Sequence, residues 1–592
     1  MIISDTPLDR QFANFMRRFD PGMEVAVEWA AYLVSHAVGD GHVCLEIRHW
    51  AGREIEPGQR LPTEKVWTEM LLASAVVGGP HEFKPMIIEG GRLYLARYWQ
   101  YEKQLAQGLL ARAGQICEDI DLAKLTADLN RLFAHNANLK PDWQKTAAAV
   151  ALLRRFCVIS GGPGTGKTST VVRILAALQS QANGTLRIAL AAPTGKAAAR
   201  MQDAIRMQKR QLNMPDEIIQ TIPETASTLH RLLGSKPDSV NFRHNRENPL
   251  MADVVVVDEA SMIDLALLAK LVDALPSHSR LILLGDKDQL AAVEAGSVFG
   301  DICLGQGYSR SFCERLSEVA GVNLQDSGDS IPDLSNCIAL LHHSHRFGGN
   351  SGIGELARRI NAAGEALPVI ELLKNGNFDD IAWRSQFGEA DVLERMDQGY
   401  QPFFTKVSEG ASGQDVLSAF NQFRILVAHH QGTTGAFSVN QAFETLLRER
   451  QRVPRHERWF PGRAVMVTRN DYGMKLFNGD IGICLRVDGE LRVCFEDADS
   501  QLRTIAPARL PDYVLSFAMT VHKSQGSEFD QAVFLLPEAV SPVLNRPLVY
   551  TAITRAKHRV EIWGGQDVLT DAVSQFPERS SGLRGRLWGR FS

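Results

Sequence analysis

The stretch that most restricts what this chain can become runs from Gly161 to Thr168, reading GGPGTGKT. It follows an apolar run, Cys157–Ser160, and precedes a helical pattern with Val171, Val172, Ile174, Leu175 and Leu178 on one face. A buried strand that turns through glycines straight into a helix fits a parallel α/β layer and little else. The segment matches G-x-x-x-x-G-K-[ST], in which glycines let backbone amides close around phosphate oxygens and the helix N-terminus adds partial positive charge. The pattern therefore predicts an ATP-type triphosphate site. Gly161, Gly162, Pro163, Gly164, Thr165, Gly166 and Ser169 would form the cradle, Lys167 would reach the β- and γ-phosphates, and Thr168 would ligate Mg2+. Without its strand and helix the same octet would be an ordinary glycine-rich turn.

Comparable apolar runs recur at 187–192, 253–258 and 280–286, and again at 423–428, 513–519, 531–536 and 559–564. Runs apolar on both faces and separated by helical stretches predict two α/β units, each with a parallel sheet. Within the second, residues 463–493 read as short strands with turns at Asn478-Gly479 and Asp488-Gly489, the pattern of a small inserted β-barrel. The first 130 residues are mostly helical in pattern, with a hairpin turning at Gly90-Gly91. The expected division is 1–130, 131–350 with a projecting hairpin near 234–250, and 351–592 with the barrel near 455–510. Asn323–Asp333 is the best candidate for an irregular loop.

At 592 residues, with 45% hydrophobic and 22% charged, the chain has material for several buried cores. Lysine and arginine total 64 against 68 acidic residues, a net charge of −4, so a polyanion must be met by local patches and backbone amides. The eight cysteines form no C-x-x-C pair, which argues against zinc and iron–sulfur sites and for buried thiols in a reducing compartment. The N-terminus is acidic where a secretory signal is basic and apolar, and no run reaches the ~18 apolar residues of a membrane span. A cytoplasmic protein without a membrane partner is the default.

Asp258-Glu259 ends the four-valine run Val254–Val257, which places both carboxylates at the same sheet edge as the glycine loop. There Asp258 suits magnesium and Glu259 suits the attacking water; a strand-end Asp-Glu is otherwise only a helix cap. Gln289, in GDKDQL after the 280–286 run, sits where a γ-phosphate is sensed, although GDxxQ by itself is a surface turn. Gln144 upstream has an amide able to read adenine, but an isolated glutamine is usually solvated.

Taken in order, GGPGTGKTS, APTGKAAAR (Ala192–Arg200), STLHRLLG (Ser227–Gly234), VVVDEASM (Val255–Met262), GDKDQLAAVEAG (Gly285–Gly296), SHRF (Ser344–Phe347), TVHKSQGSEFD (Thr520–Asp530) and YTAITRAK (Tyr550–Lys557) resemble the motif series of superfamily 1 helicases. Within that superfamily they are most similar to the RecD branch, the alpha subunits of exodeoxyribonuclease V (RecBCD), and RLYLARYWQYEKQLA (Arg92–Ala106) resembles that branch's N-terminal domain. The resemblance implies two RecA-like motor domains with an inserted SH3-like β-barrel and a mostly helical N-terminal domain. It implies catalytic roles for Lys167, Asp258, Glu259, Gln289, Arg346 and Arg555, the two arginines reaching the γ-phosphate from the second domain. DNA contacts are implied at Pro193, Thr194, Lys196, Thr228, His230, Thr520, His522 and Lys523, where hydroxyls and amides at strand-to-helix junctions suit phosphates; each is otherwise an ordinary helix cap. Segment His429–Gln441 departs from the family pattern, which puts a local contact there in doubt.

The resemblance further implies 5′→3′ translocation on single-stranded DNA, entry at broken duplex ends, and RecB-like and RecC-like partner subunits in a heterotrimer. No nuclease constellation is present in the sequence, so nuclease activity would come from a partner. Two other readings stay open: a subunit in which ATP occupancy only regulates assembly, and an RNA or conjugative helicase of the same superfamily. Gly234–Pro249 is polar and turn-rich, which suggests a hairpin meeting the duplex junction with Phe242 as wedge. Tyr94, Tyr98 and Tyr101 share a face if one helix holds all three, and that face is either core or a docking surface toward the RecC-like partner.

Overall fold

The computed structural model describes residues 6–134, 141–236, 239–305, 307–348, 350–362, 365–471, 473–497 and 501–589. Its centre is a six-stranded sheet whose spatial order is Ile338–Leu341, Phe156–Gly161, Arg280–Gly285, Val254–Val257, Ile188–Ala192 and Ala226–Thr228. Every pairing in it is parallel. Three inner strands, Phe156–Gly161, Val254–Val257 and Arg280–Gly285, are buried along their whole length, which is why their sequences lack the in–out alternation of a half-exposed strand.

A second all-parallel sheet follows, ordered Ile381–Arg384, Ala556–Trp563, Phe529–Leu535, Phe423–Val427 and Ala518–Thr520. Between Phe423–Val427 and Ala518–Thr520 the chain makes a separate five-stranded antiparallel sheet, ordered Leu502–Ile505, Glu490–Glu496, Ile481–Val487, Ala464–Val467 and Tyr513–Leu515. Asp488 and Gly489 link its two longest strands, and both adopt positive φ, the geometry a two-residue hairpin needs to follow strand twist. Among the described residues this insertion is hydrogen-bonded as an open sheet.

The N-terminal region has its own core, built from Met16, Val27, Leu33, Trp67, Leu71, Met86 and Leu93 among others. Met86–Glu89 and Arg92–Leu95 pair antiparallel around Gly90-Gly91, as the sequence pattern predicts. Beyond Leu95 the chain changes allegiance. Helix Ala96–Ala113 packs on helix Leu265–Ala274, and Trp99, Leu105 and Leu109 join the same cluster as Val255, Val257, Leu281 and Leu283. Helix Leu122–Leu132 enters the core on the sheet's other side through Leu125 and Leu129. The tyrosine stripe is therefore corrected: Tyr94 lies in a strand, not the helix, and is buried, while Tyr98 and Tyr101 pack partly buried on the core shared with the first sheet. Tyr94 is interior, and Tyr98 and Tyr101 turn toward the core because the helix carrying them is a layer of the first α/β unit.

The chain end also returns to this unit. Leu583 and Leu587 join its core, Arg586 bonds the buried Glu102, and Arg579 Nη1 donates to the carbonyls of Ala292 (2.6 Å), Glu294 (2.9 Å) and Gly296 (3.1 Å). All eight cysteines are buried and free. Among the described residues no helix is long and apolar enough to cross a membrane.

Candidate nucleotide site and nucleic-acid face

In a parallel sheet all strands deliver their loops to one edge, and here that edge collects the glycine loop, Asp258-Glu259 and Asp286. Gly164 and Gly166 adopt φ of 77° and 80°, where side chains are strained; a Cβ would strike Arg346 at the first and Gln144 at the second. Lys167, first residue of helix Lys167–Gln181, folds back so that Nζ donates to the carbonyls of Gly161 (2.5 Å) and Gly162 (3.2 Å). Thr168 and Ser169 occupy the first turn of that helix, and Ser169 Oγ donates to the Gly166 carbonyl at 2.8 Å.

Glu259 is held at φ 52°, a left-handed conformation uncommon for a residue with a side chain, and its amide donates to Asp258 Oδ1 at 2.8 Å. Burial and then the neighbouring Glu259 charge push the Asp258 carboxyl up to about 6. Burial likewise raises Asp286, which accepts from Gln289 Nε2 at 3.0 Å. The Asp258 carboxylate and the Thr168 hydroxyl, at the ends of a strand and a helix that open on this edge, are hard-oxygen donors of the kind magnesium takes. Among the described residues no cluster of three His, Cys, Asp or Glu suggests a further metal site.

The two sheets meet across this edge. Arg555, buried at the end of helix Arg546–Ile553, donates through Nη2 to Gln289 Oε1 at 2.7 Å and through Nη1 to the Ser527 carbonyl at 3.2 Å. The Tyr550 hydroxyl donates to Asp286 Oδ2 at 3.0 Å. The Leu290 amide donates to Thr551 Oγ1 at 3.0 Å, and Gln525 Nε2 donates to the Leu290 carbonyl at 3.2 Å. Tyr550, Thr551 and Gln525 stand inside quoted motifs, yet no sequence argument singled them out, because their partners are distant in the chain.

Arg346 needs a correction. It follows Ile338–Leu341, the edge strand of the first sheet, so it does not reach over from the second one. Its segment lies along the glycine loop: the His345 amide donates to the Gly164 carbonyl at 2.8 Å and Ser344 Oγ to the Pro163 carbonyl at 3.1 Å. Arg346 Nη2 donates to Glu528 Oε2 at 2.7 Å.

Gln144 lines a cavity of about 240 Å³ with Trp143, Thr165, His342 and His345. Its amide is engaged with the loop in this state: Nε2 donates to the Thr165 carbonyl at 2.9 Å and Oε1 accepts from Arg173 at 3.2 Å. The cavity adjoins the phosphate loop through Thr165 and has Trp143 among its lining residues.

A second row runs along the same strand ends. Thr194 and Thr228 cap helices Gly195–Lys209 and Leu229–Leu233, accepting from the Ala197 and Arg231 amides at 3.2 Å each, with Pro193 and Lys196 beside the first and His230 inside the second. Thr520 ends a second-sheet strand, and His522 and Lys523 form the short turn after it. Lys523 Nζ donates to Asn478 Oδ1 at 2.9 Å, and the Phe477 ring lies against Gly195, so one loop of the inserted sheet touches the row at a member from each parallel sheet. Burial and then nearby arginines pull Lys196 down to about 8.

Phe242 also differs from expectation. Ser235 bridges Phe242, and the chain then lies back along the body, so any projecting tip spans only 236–241, of which Pro237 and Asp238 fall outside the described residues. Phe242 is at the base, half-buried, its ring edge-on to His230 at 5.6 Å with Lys270 Nζ 5.3 Å above it. The register turns it toward the core, which removes it as a wedge.

Comparison with known proteins agrees with this layout. The family described as RecBCD enzyme subunit RecD, N-terminal domain, matches residues 6–94, an AAA domain matches 144–295, and a UvrD-like helicase C-terminal domain matches 515–562. RecBCD enzyme subunit RecD of Mycolicibacterium smegmatis is 37% identical over 98% of this chain and 97% of its own. The chain belongs to the RecD family. The Haemophilus influenzae RecD subunit is 36% identical over 86% of this chain and 82% of its own, and an ATP-dependent RecD2 DNA helicase of Deinococcus radiodurans is 31% identical over 68% of this chain and 46% of its own. A solved Bacteroides Pif1 bound to ssDNA aligns over 74% of this chain and 95% of that one, at 15% identity and a TM-score of 0.40. Members of the RecD family thus share with this chain the whole span that carries the glycine loop, the strand-end acids and the second sheet.

Proposed function

We propose that this chain is the ATP-driven DNA helicase subunit of a RecBCD-type assembly, moving 5′→3′ along single-stranded DNA from broken duplex ends. The observation that carries the reading is the bond from Arg555 on the second sheet to Gln289 beside the phosphate loop. Closing the two sheets brings a buried cation to the point where a γ-phosphate would lie, and opening them withdraws it. That is how hydrolysis becomes movement when each sheet also holds a strand-tracking row.

In this reading Lys167 leaves its loop carbonyls for the β- and γ-phosphates, and Glu259 holds the attacking water. Gln289 and Arg555 follow the charge that develops on the transferred group. Thr168 and Asp258 would hold Mg2+, which neutralises phosphate charge when bound. Thr194, Lys196, Thr228 and His230 on one sheet, and Thr520, His522 and Lys523 on the other, grip backbone phosphates in turn, with Pro193 shaping the first junction. The names of the relatives support RecB-like and RecC-like partner subunits in a heterotrimer, which would supply the nuclease of a complex that degrades linear DNA and prepares ends for recombination. A cytoplasmic location belongs to the same reading.

The test is ATP turnover with single-stranded DNA, with RNA and with neither, alongside unwinding of duplexes tailed at the 5′ or 3′ end. DNA-stimulated turnover and unwinding from the 5′ tail are expected. Equal stimulation by RNA would refute the substrate, and unwinding only from the 3′ tail would refute the polarity.

A further inference from the structure

Glu528 stands between the His522–Ser524 turn and the strand Phe529–Leu535, and its carboxylate bridges two arginines of the first α/β unit. One oxygen binds Arg200, on the helix after the Ile188–Ala192 strand; the other accepts from Arg346 Nη2 at 2.7 Å. The carboxylate is half-buried, and although burial opposes ionisation, Arg200 and Arg346 hold it at about 2, so it is fully charged at any working pH. Arg346 Nη1 is buried without a hydrogen-bond partner, and the Arg346 backbone lies against Gly164 of the phosphate loop. The residue before Glu528 presents the carbonyl that holds Arg555, and Gln525 reaches Leu290 next to Gln289. One short segment therefore carries candidate DNA contacts at one end and touches three arginines of the nucleotide cleft at the other.

We propose that Glu528 is a positioning residue for these arginines, holding Arg346 and Arg200 off the phosphate loop until DNA engages the preceding turn, and so setting how strongly hydrolysis depends on DNA. The inference rests on the reading of the chain as a DNA-stimulated ATPase. Its physical basis is competition between anions: while Nη2 serves Glu528, the Arg346 guanidinium cannot present both Nη donors to a γ-phosphate, so weakening one partner strengthens the other. Pulling on the His522–Ser524 turn moves the competitor.

The experiment uses the full chain and compares Glu528→Gln, Glu528→Asp and Arg200→Ala, each with circular dichroism, reading KM for ATP and kcat with and without single-stranded DNA. Glu528→Gln keeps the shape and removes the charge. It is expected to lower the DNA-free KM and to cut the ratio of DNA-stimulated to DNA-free turnover, each by about tenfold. Glu528→Asp, too short to span both arginines, should fall between Gln and wild type. Arg200→Ala leaves Glu528 wholly to Arg346 and should move KM in the opposite direction, which no general loosening of the fold would do. An unchanged KM and ratio in folded Glu528→Gln overturns the proposal. So does an equal loss of turnover with and without DNA, or failure of both Glu528 variants to fold, since either makes the carboxylate part of the frame. If the wild-type chain shows no DNA-stimulated turnover, or Lys167→Ala retains it, the functional reading itself fails, whatever the Glu528 variants do.

Discussion

The two parallel sheets have the same architecture and opposite electrostatic surroundings. At the first, Asp258 is driven up to about 6 by burial and by Glu259, and Asp286 is raised by burial as well. At the second, Glu528 is drawn down to about 2 despite burial because Arg200 and Arg346 of the first unit reach across to it, and burial lowers the Arg555 guanidinium from its ordinary value. The first edge turns two of its own arginines to a carboxylate of the facing one, and receives Arg555 from it in exchange. Layer topology is common to both, so the division of labour lies in a few residues at strand ends, where an α/β fold places its chemistry.

The contrast breaks most completely at Lys167. Lys167→Ala removes one flexible charge from a loop built of backbone, so the far-ultraviolet spectrum should match wild type while DNA-stimulated turnover falls by about a thousandfold or more. Substantial turnover in a folded variant would mean that the first sheet does not hold the triphosphate in this way.

The next test asks whether Arg555 of the second sheet acts on the transition state. Arg555→Ala should lower kcat by roughly a hundredfold to a thousandfold with little change in KM, because a charge meeting developing negative charge contributes there and not to ground-state binding. It should also cost about 1–3 kcal/mol of stability, since Gln289 Oε1 and the Ser527 carbonyl lose their donor inside the cleft. Arg346→Ala should lower DNA-stimulated kcat less than Arg555→Ala and should also raise KM when DNA is bound, since an Arg346 released by Glu528 meets the γ-phosphate before the transition state. A loss confined to KM would make Arg555 a ground-state ligand as well.

What the sequence made legible divides along the same line. The glycine loop, the strand-end acids and the paired sheets were readable because each is a local pattern: apolar runs, then glycines or carboxylates at a fixed offset. Contacts joining one sheet to the other were not. Tyr550 to Asp286, Thr551 to Leu290 and Glu528 to Arg200 and Arg346 join residues with no local signature. The tyrosine stripe was half legible for a related reason. Its spacing joins Tyr94 to Tyr98 and Tyr101 only if one helix holds all three; pairing with Ile87 keeps Tyr94 in a strand, and the remaining face packs on the first sheet's own helix, the core alternative and not the docking one. Phe242 was misplaced because polarity shows where a segment leaves the body and not which of its residues turns back.

A smaller effect is expected from the segment after Gly234, which belongs to the first sheet and has no counterpart on the second. Replacing residues 236–241 by a short glycine-rich turn, with Phe242 kept at the base, should leave single-strand-dependent ATP turnover near wild type. Duplex unwinding should fall by about tenfold, because a tip that parts strands adds nothing to hydrolysis once they are apart. Parallel losses in both assays would remove the separation role and make the segment part of the motor.

The smallest effect belongs to Lys196, where the strand-tracking row lies under the arginines that serve the nucleotide. Burial comes first among the causes that lower its ammonium to about 8, followed by Arg424 and Arg200, with Arg555 adding to them and Asp480 opposing. A lysine binds phosphate only when protonated, so DNA binding takes up a proton once pH exceeds the free-chain value. Affinity is then full below about 8 and declines above it, by up to about tenfold between pH 7 and 9 if this contact alone titrates. Lys523 shifts in the same direction through burial, and Lys196→Arg, which stays charged throughout, separates the two. Measured at constant ionic strength, the decline should flatten in Lys196→Arg and persist in Lys523→Arg. If both variants keep the wild-type slope, neither lysine carries the pH dependence, and the phosphate grip rests on the hydroxyls and helix-end amides of Thr194, Thr228 and Thr520.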